Sequence, residues 1–352
     1  MKNESVKTDL KSIISKYLRA VVLALILVAA FTYTLIDSFV IPKALPILPQ
    51  PIVSGAPTPN TSATPGLQQP TGPDPAPSGN GLETIPQTTP DSGASTSPIG
   101  PDLPTEPIIT DSSYYDGKIM IEIERFESNK LVYYVAHVEL SDAGYLRTAF
   151  AHDTFGRNIR ETTSVIAARN DAIFAINGDF YGFRGDGLII RNGVLYRDIP
   201  RPRSSNYALI VDKDGNLSIA REGEVSGEEL VINGALHSFS FGPGLVVDGV
   251  NVASTGSCNP RTAIGQIAPL RYVFIVVDGR TSVSYGISLF DLAELFIGLG
   301  CHTAYNLDGG GSACMWFLGR TVNNPTGSGD RIAERSISDI IYIGTGAGAV
   351  NG

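Results

Sequence analysis

Hydrophobic and polar positions change character along the chain, and the richest patterning lies beyond residue 108. Ile119–Glu124 opens as an apolar run and then alternates, and Leu131–Leu140 (LVYYVAHVEL) is a second run of strand character. Glu161–Arg169 has helical spacing with Thr162 or Thr163 near its start, and Asp171–Ile176 (DAIFAI) reads as a short buried strand. Three hairpins are marked by Asn192-Gly193, Asp214-Gly215 and Asp248-Gly249, dipeptides that supply the positive φ angles of tight turns. They span Leu188 to Tyr196, Tyr207 to Ile219 and Leu245 to Val252. Arg271–Val277 is a nearly continuous apolar strand. The clearest helix follows: Ser288 and Asp291 form a capping pair, Leu289, Leu292, Ala293 and Phe296 recur at helical spacing, and Gly298 and Gly300 close it. A strand over Thr303–Leu307 enters a glycine-rich turn, and another over Ala313–Leu318 leaves it. Asn323–Asp330 reads as a loop and Ile337–Ile343 as the last strand. Many strands, several hairpins and about two helices predict an α+β domain over 111–352, with a β-rich mixed-sheet core. No unit of 20–50 residues repeats.

Two earlier regions differ. Residues 1–19 are polar and carry Lys2, Lys7, Lys11, Lys16 and Arg19, whereas residues 20–36 (AVVLALILVAAFTYTLI) contain no charge. That run covers about 26 Å as a helix, and its flanks extend it to residues 20–41, the length of a transmembrane segment. The basic flank places the N-terminus in the cytoplasm and everything after Asp37 outside. A cleaved secretory signal is the competing reading, disfavoured by the long apolar stretch and the lack of a small-residue cleavage site. Residues 42–110 then hold most of the prolines, with abundant Ser, Thr and Gly and no Lys or Arg between Lys43 and Lys118. Such a stretch cannot bury enough apolar surface to order itself, so a disordered tether is expected, about 200 Å long if fully extended.

Charge and cysteines narrow the chemistry. The chain carries a formal net charge of −9, and the part beyond Ile108 is itself acidic, which argues against nucleic acid as a partner. Three cysteines, Cys258, Cys301 and Cys314, show no metal-ligand spacing, though Cys301 and Cys314 flank the glycine-rich turn and are candidates for a bridge across it. Four histidines form no metal-binding motif, and no nucleophile elbow, phosphate-binding lysine loop or dinucleotide fingerprint is present.

The glycine-rich turn is the main candidate site. In Asn306-Leu307-Asp308-Gly309-Gly310-Gly311-Ser312, successive N–H groups can form an anion-binding concavity, with Asp308 at its mouth and Asn306 and Ser312 beside it. A tight turn with a bulge is the plainer reading. Asp179 and Asp278 share the setting of Asp308: the end of an apolar strand next to glycine. Asp-Gly is also a common turn dipeptide, but Asp278 is followed by Arg280 and a polar loop rather than by a returning strand. Arg261, between Pro260 and an apolar run, suits bidentate phosphate or carboxylate binding, or pairing with an Asp to fix the turn; Arg280 and the Glu334-Arg335 pair are further candidates.

Together these motifs resemble the phosphodiester glycosidase family, the domain type of N-acetylglucosamine-1-phosphodiester α-N-acetylglucosaminidases and of bacterial proteins often labelled exopolysaccharide-biosynthesis proteins. The matching stretches are Ala175–Tyr181 (AINGDFY), Pro260–Gly265 (PRTAIG), Val277–Arg280 (VDGR), the helix Leu289–Leu295 and Asn306–Ser312 (NLDGGGS), in that order, within residues 162–343. The resemblance implies hydrolysis of a sugar-1-phosphodiester between the anomeric carbon and the phosphate oxygen. It implies that Arg261 and Gly309, Gly310, Gly311 and Ser312 hold phosphate, with Arg280 and Asn306 adjoining. Asp278 or Asp308 would be base or nucleophile, and Asp179 and Asn177, with Gly178 between them, would bind sugar hydroxyls or assist the catalysis. No cofactor is implied, though a carboxylate-bound Ca²⁺ or Mg²⁺ would fit a metal-dependent phosphodiesterase instead. A module that binds an anionic wall polymer without turnover is the third reading. With the apolar segment, the expectation is a membrane-anchored enzyme acting outside the cytoplasm on a glycan phosphodiester of the cell envelope.

Overall fold

The structure, a computed structural model, describes residues 21–34, 36–37, 40–45, 47, 104, 106–201, 206–327 and 331–344. Its largest sheet runs, edge to edge, Val250–Asn251, Gly244–Val247, Thr303–Asn306, Arg261–Ala268, Arg271–Val277, Leu131–Leu140, Ile119–Ser128, Ser113–Tyr115, Ile108–Ile109. A second sheet has the order Arg320–Thr321, Met315–Phe317, Ala172–Asn177, Asp339–Gly344, Leu146–Phe150. A third has Val194–Ile199, Gly187–Arg191, Ala235–Phe239, Tyr207–Asp212, Leu217–Arg221.

The three sheets share one core. Ala136, Val138, Phe274 and Tyr305 of the first cluster with Phe174, Ile176 and Ile341 of the second and with Leu209 and Phe239 of the third. Each sheet also packs a helix on its other side. Leu292, Ala293 and Phe296 of helix Leu289–Gly298 cluster with Ala263, Ile275 and Val277. Ile166 and Ala167 of helix Thr163–Arg169 cluster with Ala175, Ile340 and Tyr342. Leu230 and Val231 of helix Gly227–Ile232 pack on Ile190, Leu195 and Ile210. This explains the uninterrupted apolar run of Arg271–Val277: Tyr272, Phe274 and Val276 enter the shared core, while Val273, Ile275 and Val277 lie under the helix. Each such buried side chain contributes about 1.5–3 kcal/mol.

The hairpins form where the turn dipeptides stand, with Asn192 at φ 50° and Gly193 at φ 78°, and Asp248 at φ 51° and Gly249 at φ 75°. The expected mixed sheet is not found: the pairings between strands are antiparallel throughout the described residues. The reason lies in two crossovers that each skip a strand. Arg271–Val277 connects through Leu289–Gly298 to Thr303–Asn306, and Arg261–Ala268 lies between those two strands. Leu217–Arg221 likewise connects through Gly227–Ile232 to Ala235–Phe239, with Tyr207–Asp212 between them.

Cys301 and Cys314, candidates for a bridge across the turn, are both free and buried. Cys301 packs with the helix Leu289–Gly298, whereas Cys314 donates its backbone N–H to Asn177 of the second sheet. The domain begins earlier than residue 111, because Ile108–Ile109 pairs with Tyr114 and Tyr115, and Lys43–Ala44 pairs with Gly156–Arg157. The expected cytoplasmic segment 1–19 and most of the expected tether lie outside the described residues. Residues 21–34 are helical and exposed at every position. Among the described residues no helix is long and apolar enough to cross a membrane.

Candidate active site

Four strands deliver the candidate residues to one place. Ala172–Asn177 ends in Asn177-Gly178-Asp179, Arg271–Val277 in Asp278-Gly279-Arg280 and Thr303–Asn306 in the glycine-rich turn, while Arg261–Ala268 begins after Pro260. The segments are tied through their backbones. The Asp308 N–H donates to the Gly178 carbonyl at 3.3 Å, Leu307 N–H to Thr262 O at 2.8 Å and Gly310 N–H to Pro260 O at 2.9 Å. The Asn177 amide donates to the Asp308 carbonyl at 2.6 Å, and its oxygen accepts from the Thr262 hydroxyl at 2.7 Å and the Cys314 N–H at 3.2 Å. Asn177 is fully buried and its amide is engaged with the protein, where it holds the Asp308 carbonyl.

Glycine is required in the turn for two different reasons. Gly310 sits at φ +61°, and a Cβ on Gly309 would stand 2.6 Å from the Pro260 carbonyl oxygen. Gly309→Ala is therefore expected to cost about 1–3 kcal/mol through forced displacement of that carbonyl, read as a lower urea midpoint with an unchanged slope. The turn is one winding of 3₁₀ helix, Gly310–Ser312, with Ser312 N–H donating to Gly309 O at 3.2 Å. Two of the four amide donors of the expected anion nest, those of Gly310 and Ser312, are thus engaged internally.

Asp308 faces a cation that is not the expected one. Its carboxylate lies 3.4 Å from Arg335 Nη2, and Arg335 also donates to the Ser312 hydroxyl through Nε at 3.0 Å and Nη2 at 2.5 Å. Burial raises the pKa of Asp308, the Ser312 hydroxyl and Arg335 act against that rise, and the charges of Asp179 and Arg184 reach it with opposite sign. Arg280 is exposed, its Nη2 3.0 Å from the point where a Cβ on Gly310 would stand. Arg184 donates to Ser240 O at 3.0 Å and lies 5.5 and 5.7 Å from the ring centres of Phe180 and Phe241. Arg261 meets the turn only through its backbone. Its guanidinium donates to the carbonyls of Ile287 at 3.3 Å and Ser257 at 3.2 Å, and no Asp pairs with it among the described residues.

The other two carboxylates are held elsewhere. Asp278 is buried and accepts from Asn323 Nδ2 at 3.0 Å, Asn324 N–H at 3.0 Å and Asn324 Nδ2 at 3.3 Å. Burial raises its pKa and those donors oppose the rise. Asp179 accepts from Tyr181 N–H and Ser240 N–H, each at 2.9 Å, and lies 3.2 Å from Arg191 Nη2. Arg191 also donates to Asp339 through Nε at 2.9 Å and Nη2 at 2.7 Å, its guanidinium carbon 4.2 Å from the Phe239 ring centre. All three groups are buried, so Asp179 belongs to an internal ion network and does not open on the turn. Gly178 completes this network, because a Cβ there would overlap the Asp339 carboxylate. Asn306 donates to Gly242 O at 2.8 Å, and its Oδ1 is buried with no partner among the described residues. No group of three or more His, Cys, Asp or Glu side chains is gathered to hold a metal ion among the described residues.

Three of these residues were missed in the sequence. Asp339 left a signal, a charge inside the apolar run Ile337–Ile343, which marks a buried and partnered carboxylate. Arg191 stands beside a hairpin turn and Arg184 in a polar loop, where arginine is unremarked.

Three antiparallel sheets thus bring the Asp308 carboxylate and the Arg335 guanidinium together at a triple-glycine turn, with Arg280 beside it. Residues 170–344 match the model of the phosphodiester glycosidase family. Among curated relatives the chain is 36% identical over 199 residues to the SPbeta prophage-derived uncharacterized protein YomE of Bacillus subtilis, covering 54% of this chain and 30% of that protein. It is 28% identical over 151 residues to bovine (Bos taurus) N-acetylglucosamine-1-phosphodiester α-N-acetylglucosaminidase, covering 42% of this chain and 26% of that protein. The chain thus spans less than a third of the length of either relative. Its fold resembles the catalytic domain of the zebrafish enzyme of the same name, with a TM-score of 0.52 at 21% identity, over 64% of this chain and 83% of that one.

Proposed function

We propose that this domain hydrolyses the glycosidic bond of a sugar-1-phosphodiester in a cell-envelope or exopolysaccharide glycan. We propose also that residues 20–41 anchor it in a membrane with the domain on the extracytoplasmic side. The observation that carries the first reading is Asp308, buried beside Arg335 in a turn that is partly exposed only at Gly309 and Gly310 and is flanked by Arg280, inside the stretch that matches the family. The named bovine and zebrafish relatives supply the reaction class.

The chemistry follows from charge. The leaving group is a phosphomonoester, a stable anion that needs neutralisation more than protonation, and Arg335 and Arg280 supply it. As the bond between anomeric carbon and oxygen breaks, its electron pair passes to the phosphate oxygen and the carbon becomes oxocarbenium-like. Asp308 stabilises that positive charge and takes the proton of the incoming water. The water oxygen becomes the anomeric hydroxyl. Asp278 and Asp179 serve as positioning groups, Asp278 holding the Asn323-Asn324 loop and Asp179 the Tyr181 and Ser240 N–H groups. The anchor reading rests on the charge-free run after a basic flank, and on the exposure of the helix over residues 21–34.

Full-length protein in detergent, incubated with a glycosyl-1-phosphodiester in ¹⁸O-labelled water, tests the reaction. Label in the sugar hydroxyl and none in the phosphate is the expected result. Label in the phosphate together with loss of turnover in EDTA would instead identify a metal-dependent phosphodiesterase. Binding of an anionic polymer without turnover of any phosphodiester would leave a recognition module.

A further inference from the structure

The segment directly after the apolar helix is part of the domain. Lys43 and Ala44 pair antiparallel with Arg157 and Gly156. On one side of that pair the Asn158 amide donates to Ile41 O at 3.0 Å, and on the other Leu45 N–H donates to Phe155 O at 3.0 Å. Leu45 packs against the cluster of Phe155, Tyr181 and Ile189. Gly156 is fitted to this neighbour, because a Cβ there would overlap the Lys43 carbonyl. The helix end is just as close: Val40 N–H and Ile41 N–H both donate to Ile36 O at 2.9 Å. The four Cα–Cα steps from Asp37 to Ile41 can span at most about 15 Å even when extended. The chain pairs with the domain at Lys43–Ala44 and again at Ile108–Ile109, so the number of residues between those pairings sets no distance between helix and domain.

The same contact lies next to the site. Asn158 N–H donates to Gly182 O at 2.9 Å, within the turn Tyr181–Phe183. On either side of that turn stand Phe180 and Arg184, and the charge of Arg184 reaches Asp308.

We propose that Ile41–Leu45 is a strand-addition staple that holds the domain at the end of the membrane helix, so that the enzyme takes its substrate from the bilayer surface: a glycosyl-1-phosphodiester whose aglycone is a lipid. This rests on the reaction and the anchor proposed above, and it replaces a reaching tether with a domain held close. Backbone pairing supplies the docking and Leu45 the apolar anchor, as in other strand additions. Confinement next to the bilayer raises the effective concentration of a lipid-borne substrate without any added contact to it.

The test uses full-length protein in liposomes and two substrates with the same sugar phosphate, one esterified to a short soluble alcohol and one to a long-chain lipid in the vesicle. Leu45→Asp disrupts the staple from the segment side and Gly156→Val from the domain side. Both variants are expected to keep soluble turnover within about twofold and to lose about tenfold or more in kcat/KM on the lipid substrate, the scale of a lost intramolecular tether. Equal turnover of the lipid substrate by wild type and both variants would overturn the staple. Failure of wild type on both substrates would overturn the proposed reaction and leave the staple to a separate readout. Cys258 is exposed while Cys301 and Cys314 are buried, so it accepts a single fluorophore. Headgroup-quencher lipids are expected to quench it in wild type and to lose most of that quenching in Leu45→Asp. Equal quenching in both proteins would refute the staple, and a protein that does not enter liposomes would refute the anchor.

Discussion

Asp308→Asn is expected to lower kcat on a glycosyl-1-phosphodiester by at least about 10²–10⁴-fold, the contribution of a positioned acid–base group, while the urea midpoint stays close to wild type. The amide keeps the shape and still accepts from Arg335, but it carries no charge to stabilise an oxocarbenium-like centre and takes no proton from water. Asp308 works ionised, and burial raises its pKa. The acidic limb of the rate profile should therefore lie above the ordinary carboxylate range, with activity lost as pH falls through it. Arg335 opposes that rise. In Arg335→Ala the limb should move further up in pH, with a loss in kcat/KM of about 10²–10³-fold from the missing charge-stabilising donor. A limb that stays in place in Arg335→Ala would show that the 3.4 Å approach to Asp308 does not govern its ionisation. An active Asp308→Asn would remove Asp308 from the mechanism.

Asp339→Ala should be the most destabilising single change in the domain outside the hydrophobic core, at about 3–5 kcal/mol, because it removes one partner of a buried ion network and leaves the other. Arg191, 1% exposed, would lose the acceptor of its Nε and Nη2 donors and retain Asp179 as its carboxylate. The site should suffer as well, since Gly178 packs on Asp339 and its carbonyl holds the Asp308 N–H. The pH dependence has a definite sign. Burial pushes Asp339 up to about 7, Arg191 acting against the rise and Asp179 with it. Between the ordinary carboxylate range and that value the folded state keeps a proton that the unfolded chain releases. Stability contributed by this group is thus full at low pH, falls as pH rises through the window and is flat above it. Urea midpoints at pH 5 and pH 8 measure this. Asp339→Asn has no proton to lose and should flatten the slope. An unchanged slope in Asp339→Asn would assign the pH dependence to another group.

The role of Asp339 shows where reading along the chain stops. A charge within Ile337–Ile343 announces a buried carboxylate, but its partner Arg191 stands 148 positions away and looks like an ordinary residue beside a hairpin. Arg261 and Arg335 illustrate the same limit. Arg261 lies inside a motif and Arg335 lies 23 positions beyond the glycine-rich turn, yet Arg335 turns to Asp308 and Ser312 while Arg261 turns to the carbonyls of Ile287 and Ser257.

What the sequence determined by itself is local. Asn192-Gly193, Asp214-Gly215 and Asp248-Gly249 set hairpins because positive φ is tolerated at few residue types, and Ser288 with Leu292, Ala293 and Phe296 set a helix through capping and spacing. Three strand-end carboxylates and the triple-glycine turn were legible for the same reason, as short-range patterns with few alternatives. Tertiary structure decided which of those buried carboxylates meets a solvent-exposed cation. Asp179 and Asp308 end similar strands, but the sheet crossings carry one against Arg191 and the other against Arg335. It also decided that Lys43 and Ala44, set in a proline-rich stretch, pair with Gly156 and Arg157. Two residues carry no periodicity to read, and their pairing depends on a surface assembled from distant parts of the chain.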